Sequence, residues 1–474
     1  MGGLEIQVVK FSELIFEHNK LRLDAEFFKK ENIQLLSQIK KWKYKRISEI
    51  ASVTDGIHSS IDFCENSEIN LISAKSPKDN YFDLSGNAYI STKQHKENPK
   101  TALRLNDVII STVGTIGNTA VVQQEQLPAN SDRHVGIIRI KENIPAYYLS
   151  TFLNSKYGRF QSLRESTGNV QLSLFVYKIN EMLIPVFDDE FHESIQGQCE
   201  LAHQKLRQSK IVYEQAQNLL LEHLGLKDFN PPTQTVNIKS FADSFGTSGR
   251  LDAEFYQEKY ESYLEKIQAF NNGFIQIQQE YSQVKSKSKF DLPAYQYIEI
   301  GDINVSDGSY SFNEVAIEDL PANAKIMVKK GDILISTVRP NRGAVAIVEH
   351  DRDDLIVSGA FTVLRKKAKS HFNNEFLKVL LRIAIYKDWL LQFNVGTSYP
   401  VIKDEDILNL VIPNVEETIQ TQIADLILQS NYLRIKSKGL LEKAKKAVEL
   451  AIEKDQESAL DFIKGKQTND CNVH

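Results

Sequence analysis

The chain has 474 residues and a mass of 54.0 kDa, with 42% hydrophobic and 25% charged residues. This is a globular composition, which excludes a disordered or fibrous chain, and the length suffices for more than one core. The formal net charge of −5, from 57 Lys and Arg against 62 Asp and Glu, excludes a histone-like nucleic-acid binder. It leaves a local basic face open, because net charge is a sum over the chain; residues 1–187 alone hold 23 Lys and Arg against 20 Asp and Glu.

Cys64, Cys199 and Cys471 are far apart and the ten histidines form no HxxxH or HExxH pattern, so no metal site is expected. Sparse cysteine fits a reducing cytoplasm. Residues 1–5 lack the layout of a signal peptide, and no run of ~18 apolar residues predicts a membrane span.

In chain order, the first landmark is Arg22-Leu23-Asp24-Ala25-Glu26-Phe27. A basic run follows, with Lys40, Lys41, Lys43, Lys45 and Arg46 around Trp42 and Tyr44. Short apolar strands are predicted at 108–113, 119–122 and 135–140, separated by Gly114, Gly117 and Gly136. A helix is predicted over 147–161, then a glycine turn at Gly168 and a strand ending in Ile184-Pro185. Next, Ile195, Cys199, Ala202, Leu206, Ser209, Tyr213, Ala216 and Leu220 alternate steps of four and three, the seam of a coiled coil. A linker with Asn230-Pro231-Pro232-Thr233 breaks that helix.

The sequence then repeats itself. Residues 250–255 restate the hexamer of 22–27, at an offset of 228. Asp332-Ile333-Leu334-Ile335-Ser336-Thr337-Val338 answers Asp107-Val108-Ile109-Ile110-Ser111-Thr112-Val113. Gly396 answers Gly168, Ile412-Pro413 answers Ile184-Pro185, and Ile419-Gln420-Thr421-Gln422 answers Ile195-Gln196-Gly197-Gln198. The second half therefore predicts strands at 333–338, 344–348 and 361–364 and a helix over 375–393. Its long helix carries a seam through Ile419, Ile423, Leu426, Ser430, Leu433, Ser437, Leu440 and Ala444. Five ordered matches at offsets of 224 to 228 define a duplicated domain, since solenoid periods run at ~20–50 residues. The expected fold is α/β (α+β): two similar strand-rich domains joined by two long antiparallel coiled-coil helices. The boundaries are 1–188, a helix 189–225, a linker 226–239, 240–414, a helix 415–456, and a polar tail 457–474 that is expected to fray.

No catalytic constellation survives inspection. Asn230-Pro231-Pro232-Thr233 approaches the Asn-Pro-Pro-aromatic motif of amino-methyltransferases, but Thr233 cannot stack on a base. No phosphate-binding loop and no GxSxG elbow occurs. Gly114-Thr115-Ile116-Gly117 reads as a turn, and Asp188-Asp189-Glu190 as a helix start, where acids are favoured. The basic clusters carry more. Besides 40–46, Lys285, Lys287 and Lys289 alternate with serines at a similar place in the second repeat. Arg339, Asn341 and Arg342 follow Ile335-Ser336-Thr337, and Arg365, Lys366, Lys367 and Lys369 form a further group. Lys and Arg pair with phosphates, and Arg forks onto guanine edges.

Two domains each followed by a long helix, with Asp-[Val/Ile]-[Ile/Leu]-Ile-Ser and Ile-Pro before Ile-Gln-x-Gln, resemble a Type I restriction–modification specificity subunit. The resemblance covers residues 5–455. It departs at Asn106, where the second half has Gly331. It implies two target-recognition domains, each reading one half of a split, asymmetric site in double-stranded DNA. It implies that the helices form a spacer and dock two DNA-methyltransferase subunits, joined by restriction endonuclease/translocase subunits. The chain itself is then non-catalytic and binds no cofactor, with S-adenosylmethionine held on the partner methyltransferase. Base readout is expected from loops near Ser59, Ser60, Lys75 and Lys78 and from the turn with Arg339, Asn341 and Arg342, and Lys40, Lys41, Lys43, Lys45, Arg46, Lys285, Lys287 and Lys289 are expected to bind DNA as well. Three further readings stay open: a recognition subunit whose partner fuses methylase and nuclease, a self-contained DNA methyltransferase or nuclease, and a structural coiled-coil adaptor that does not bind DNA.

Overall fold

The computed structural model describes residues 27–168, 171–234, 236–285 and 291–465. The first half runs α1 (Lys30–Ile39), β1 (Tyr44–Arg46), β2 (Ala51–Asp55), β3 (Ile69–Ile72), β4 (Ala88–Ile90), β5 (Val108–Ser111), β6 (Thr119–Val121), β7 (Ala129–Ser131), β8 (Val135–Ile140), α2 (Ala146–Asn154), α3 (Lys156–Glu165), β9 (Leu183–Pro185) and α4 (Asp189–His223). The second runs α5 (Glu258–Gln268), β10 (Phe274–Gln276), β11 (Tyr281–Gln283), β12 (Ala294–Ile298), β13 (Asn313–Ala316), β14 (Ala324–Met327), β15 (Ile333–Ser336), β16 (Val345–Ile347), β17 (Leu355–Ser358), β18 (Phe361–Lys366), α6 (Asn374–Arg382), α7 (Ala384–Trp389), β19 (Val411–Pro413), α8 (Glu417–Glu453) and α9 (Gln456–Lys464). Short helical turns complete the list.

Two compact units result: Met1–Arg207 with Leu433–His474, and Gln208–Tyr432. The division falls inside both long helices, so each unit holds one strand-rich domain and a part of each helix. The duplication is visible in the topology of each unit taken alone. In the first, an antiparallel sheet has the order β2-β8-β5-β6; in the second, the order is β11-β18-β15-β16. A second sheet joins β3 to β4 antiparallel and to β7 parallel, as β12 joins β13 and β17. The second unit adds the edge strand β14. A two-stranded ribbon leads into each long helix, with Tyr44 opposite Pro185 and Phe274 opposite Pro413.

The central strands explain the repeated apolar motif. All four residues of β5 and of β15 are buried. Val108 and Ile110 join the core under α2 and α3, whereas Ile109 joins a core against the second sheet. Ile333 and Ile335 divide from Leu334 in the same way. A strand covered on both faces has no reason to alternate polar and apolar residues.

The aspartate that opens the motif is structural in both copies. Asp107 is 2% exposed; it accepts the Arg104 amide at 2.8 Å and a two-pronged pair from Arg139 at 2.9 and 2.7 Å. Asp332 is 1% exposed; it accepts the Lys329 amide at 2.8 Å and both prongs of Arg365 at 2.7 Å. A buried carboxylate is tolerated only when so paired. The residue before each aspartate needs a left-handed backbone, with φ +67° at Asn106 and +91° at Gly331. Asparagine tolerates that region, so the exchange of Gly for Asn leaves the turn intact.

Each unit buries its helix segments against its own domain and against each other. In the first, Phe191, Ile195, Cys199 and Ala202 share a core with Tyr148, Phe152, Leu441, Ala444 and Val448. In the second, Ala216 and Leu220 share one with Ile423 and Ile427. The segments there run antiparallel, since Ser209 meets Ser430 while His223 meets Glu416. The expected seam residues Leu206, Tyr213, Ile419, Leu426, Leu433 and Leu440 are only half-buried. Ile427, Leu441 and Val448 take the fully covered positions. A helix that serves a domain as well as a partner helix needs a wider apolar face than a two-position seam.

The tail expected to fray from residue 457 instead contains α9. Asp455 caps it by accepting the Ser458 amide at 2.7 Å, and Ala459, Leu460 and Ile463 enter the first unit's core. Its polar composition hid an apolar stripe at helical spacing. Among the described residues, no helix is long and apolar enough to cross a membrane.

Candidate nucleic-acid interface

The same loops meet at one end of the main sheet in each unit. In the first, β5 ends at Ser111 opposite Val135, where β8 begins, and β2 ends at Asp55 opposite Gly136. Backbone bonds stitch the loops beyond these ends: Ile57 N to Ser131 O (2.8 Å), Asp132 N to Ile72 O (3.0 Å), Thr112 N to His134 O (3.0 Å) and Leu174 N to Thr112 O (2.9 Å). The Ser111 hydroxyl donates to Ala74 O at 2.7 Å and the Asn118 amide to Pro77 O at 3.3 Å, which draws the 73–79 loop onto the 112–118 turn. Ser59, Ser60, Lys75 and Lys78 all belong to this end, with Lys78 half-buried and the others exposed.

In the second unit, Ser336 lies opposite Phe361, where β18 begins, and Gln283 opposite Leu364. Lys285, exposed, therefore leaves β11 at the end where the turn after β15 emerges. Lys287 and Lys289 lie outside the described residues. The turn after β15 exposes Arg339, Asn341 and Arg342. Arg339 has φ +50°, a conformation uncommon for a residue with a side chain. It is held by its amide on Pro400 O at 2.7 Å, with its guanidinium 5.4 Å above the Tyr399 ring.

Tyr399 belongs to a loop, residues 394–401, that packs beside the turn through the Val338–Val401 bridge and the bond from Ile402 N to Thr337 O (3.0 Å). The loop presents Thr397, Ser398 and Tyr399 to solvent. Its counterpart in the first unit closes through Thr167 and Ser173, bonded to each other at 3.0 and 2.9 Å, with Val113 bridged to Ser173. A Cβ at Gly168 would lie 2.2 Å from Gln171 O, and one at Gly396 would lie 2.1 Å from Tyr399 O. That close approach is why glycine recurs there. The repeated glycine marked this loop in the sequence, but nothing at that level showed that it abuts the Arg339 turn. Thr397, Ser398 and Tyr399 were missed for that reason, as was the exposed Arg133 of the first unit.

The 40–46 run lies elsewhere, on the ribbon that precedes the other end of β2. Lys40, Lys41 and Lys43 are exposed, but Lys45 pairs with Glu142 and Arg46 with Glu181. Trp42 is not a free stacking ring: its indole donates to Ile452 O at 3.0 Å and meets Phe187 edge-on at 5.3 Å. In the 365–369 group, Arg365 is committed to Asp332, and Lys367 donates to Gln278 O at 2.6 Å. Arg365 is therefore a strand-to-turn clasp. Among the described residues, no group of three or more His, Cys, Asp or Glu is placed to hold a metal ion.

The two ends share a frame and differ in chemistry. The first offers Gly114 and Thr115 where the second offers Arg339, Asn341 and Arg342. Residues 267–446 match the family described as the Type I restriction modification DNA specificity domain. This is the family that the duplicated motifs resemble. The chain is similar to the Type I restriction enzyme HindI specificity subunit of Haemophilus influenzae, 32% identical over 146 residues that cover 29% of this chain and 31% of that one. The chain thus spans about a third of the length of that curated relative. Among solved structures, it is similar to the S subunit of a Type I restriction–modification system from M. genitalium (11% identity, 89% of this chain and 96% of that one, TM-score 0.40). It is also similar to the HsdS subunit from Thermoanaerobacter tengcongensis (13% identity, 90% and 97%, TM-score 0.27).

Proposed function

We propose that this chain is the DNA-recognition subunit of a Type I restriction–modification complex, with each strand-rich domain reading one half of a bipartite, asymmetric site. The observation that carries the reading is the repetition of one sheet order and one loop end with different exposed side chains. A common frame with two loop chemistries is what two unlike half-sites require, because phosphate contacts position a protein while base-edge contacts specify sequence. The family match over residues 267–446 supports it further. Two methyltransferase subunits would dock on the helices, with restriction subunits joining them. Methyl transfer from S-adenosylmethionine and cleavage would take place on those partners, in the cytoplasm.

Genome-wide mapping of methylated adenine tests this reading. A bipartite methylated motif is expected to vanish when the chain is deleted, and exchange of residues 240–414 for those of a relative should change one half of the motif only. Methylation that persists without the chain overturns it.

A further inference from the structure

The second copy of the repeated hexamer, residues 250–255, lies far along the chain from the exposed loop, yet its first residue reaches that loop. Arg250 forms a two-pronged pair with Asp252 at 2.8 and 2.6 Å, and its guanidinium stands 4.6 Å above the Phe255 ring. From that cradle, Nη2 donates to Asn394 O at 2.9 Å. Asn394 organises the whole loop: its carboxamide oxygen accepts the amides of Gly396 at 2.8 Å and Val401 at 2.9 Å. Val395 N closes on Val401 O at 2.8 Å. Pro400 O then receives the Arg339 amide. An unbroken line runs from the hexamer through Arg250, Asn394 and Pro400 to the strained, solvent-facing Arg339.

The hexamer is itself pinned, because Phe255 O accepts Gln392 Nε2 at 3.1 Å. In the first unit, Phe27 O accepts Arg164 Nε at 3.0 Å, and Arg164 and Gln392 are 228 residues apart, so the last residue of the hexamer is held from the equivalent position in both repeats. Residues that contact different half-sites should differ between repeats. A residue that holds the contacting loop should not, and the hexamer does not.

We propose that Arg250 is a positioning residue: it fixes the 394–401 loop, and through Pro400 the Arg339 turn, in the shape that meets the DNA. This rests on the function proposed above for the loop end. A guanidinium serves because it can fork onto Asp252 and still donate to a carbonyl, and a lysine ammonium lacks that planar fork.

The test uses the full chain in its assembled complex, with Arg250→Lys as the mild variant and Arg250→Ala as the severe one. Without DNA, amide exchange at Val395, Gly396, Val401 and Arg339 is expected to accelerate ~10-fold or more in Arg250→Lys, while amides in the middle of α4 keep their rates. Binding is then compared on a duplex that carries the mapped methylation motif and on duplexes with single changes in either half. Discrimination at one half is expected to fall ~10-fold, with the other half unaffected. Unchanged exchange in the loop overturns the tether. A loosened loop with full discrimination at both halves overturns the assignment of the loop end to DNA, whatever holds it.

Discussion

Ser209 and Ser430 exchange hydrogen bonds, each hydroxyl donating to the other's backbone carbonyl, at 2.9 and 2.8 Å. Both are buried, at 5% and 4% exposure. The reciprocal pair brings two helix backbones close, which only small side chains permit. Ser430→Ala removes one of the two bonds and is expected to cost about 1 kcal/mol. Ser209→Leu forces a branched side chain into the same gap and is expected to cost about 1–3 kcal/mol. Urea unfolding of the full chain measures both, and a Ser209→Leu chain as stable as the parent would show that the helices are not held at this distance.

The paired clasps Asp107–Arg139 and Asp332–Arg365 predict an asymmetry. Arg139→Met strands a carboxylate that is 2% exposed, and a cost of about 2–4 kcal/mol is expected. In the double variant Asp107→Leu, Arg139→Met, the buried charge is gone, so much of that loss should return. A double-mutant cycle by denaturant unfolding reads the coupling. Equal and additive single losses would mean that the pair does not hold the turn to the strand.

These clasps also show where reading the sequence stops. The strands β5 and β15 were legible because the chain supplies its own comparison, and a continuous apolar run at a fixed offset is hard to produce otherwise. The aspartate of the motif was visible too, but its partner arginine lies 32 residues on in one repeat and 33 in the other, in a different strand. Nothing local ties the two together. The partners of the 40–46 run were hidden for the same reason. Its density of charge is real, but Glu142 and Glu181, far along the chain, take two of its cations, and the helix carbonyl of Ile452 takes the Trp42 indole. At the loop end, Arg339 and Arg342 were legible as exposed cations in a turn, whereas Tyr399 enters only through the fold.

Arg339→Ala and Arg342→Ala are each expected to weaken binding to the cognate duplex by about 1–3 kcal/mol if they read guanine, with relaxed discrimination at one base pair. A phosphate contact gives a different signature: affinity falls on all sequences alike and the salt dependence loses about one unit of slope. Gel-shift titrations of the assembled complex at several salt concentrations separate the two. Lys41→Gln, in the turn before the ribbon, should leave discrimination unchanged. If Lys41→Gln relaxes discrimination and Arg339→Ala does not, the reading face has been placed on the wrong end of the sheet.

His192, at the start of α4, supplies a pH dependence with a definite sign. Its imidazole is 3% exposed and lies 4.2 Å from the Tyr148 ring, with neither ring nitrogen hydrogen-bonded. Burial holds its pKa below the usual 6.5, against the opposing pull of Asp189 and Asp188. In the unfolded chain the ring titrates near 6.5, so below that pH the unfolded state takes up the proton more readily than the folded one. Stability from this group is therefore complete above about pH 7.5. It declines as pH falls through ~6.5, by at most about 1.4 kcal/mol per pH unit, until the folded ring itself is protonated. His192→Phe keeps an aromatic ring against Tyr148 and removes the proton. Its urea midpoint should vary less between pH 5.5 and 7.5 than the parent's, whereas two parallel curves would show that His192 carries none of the acid sensitivity.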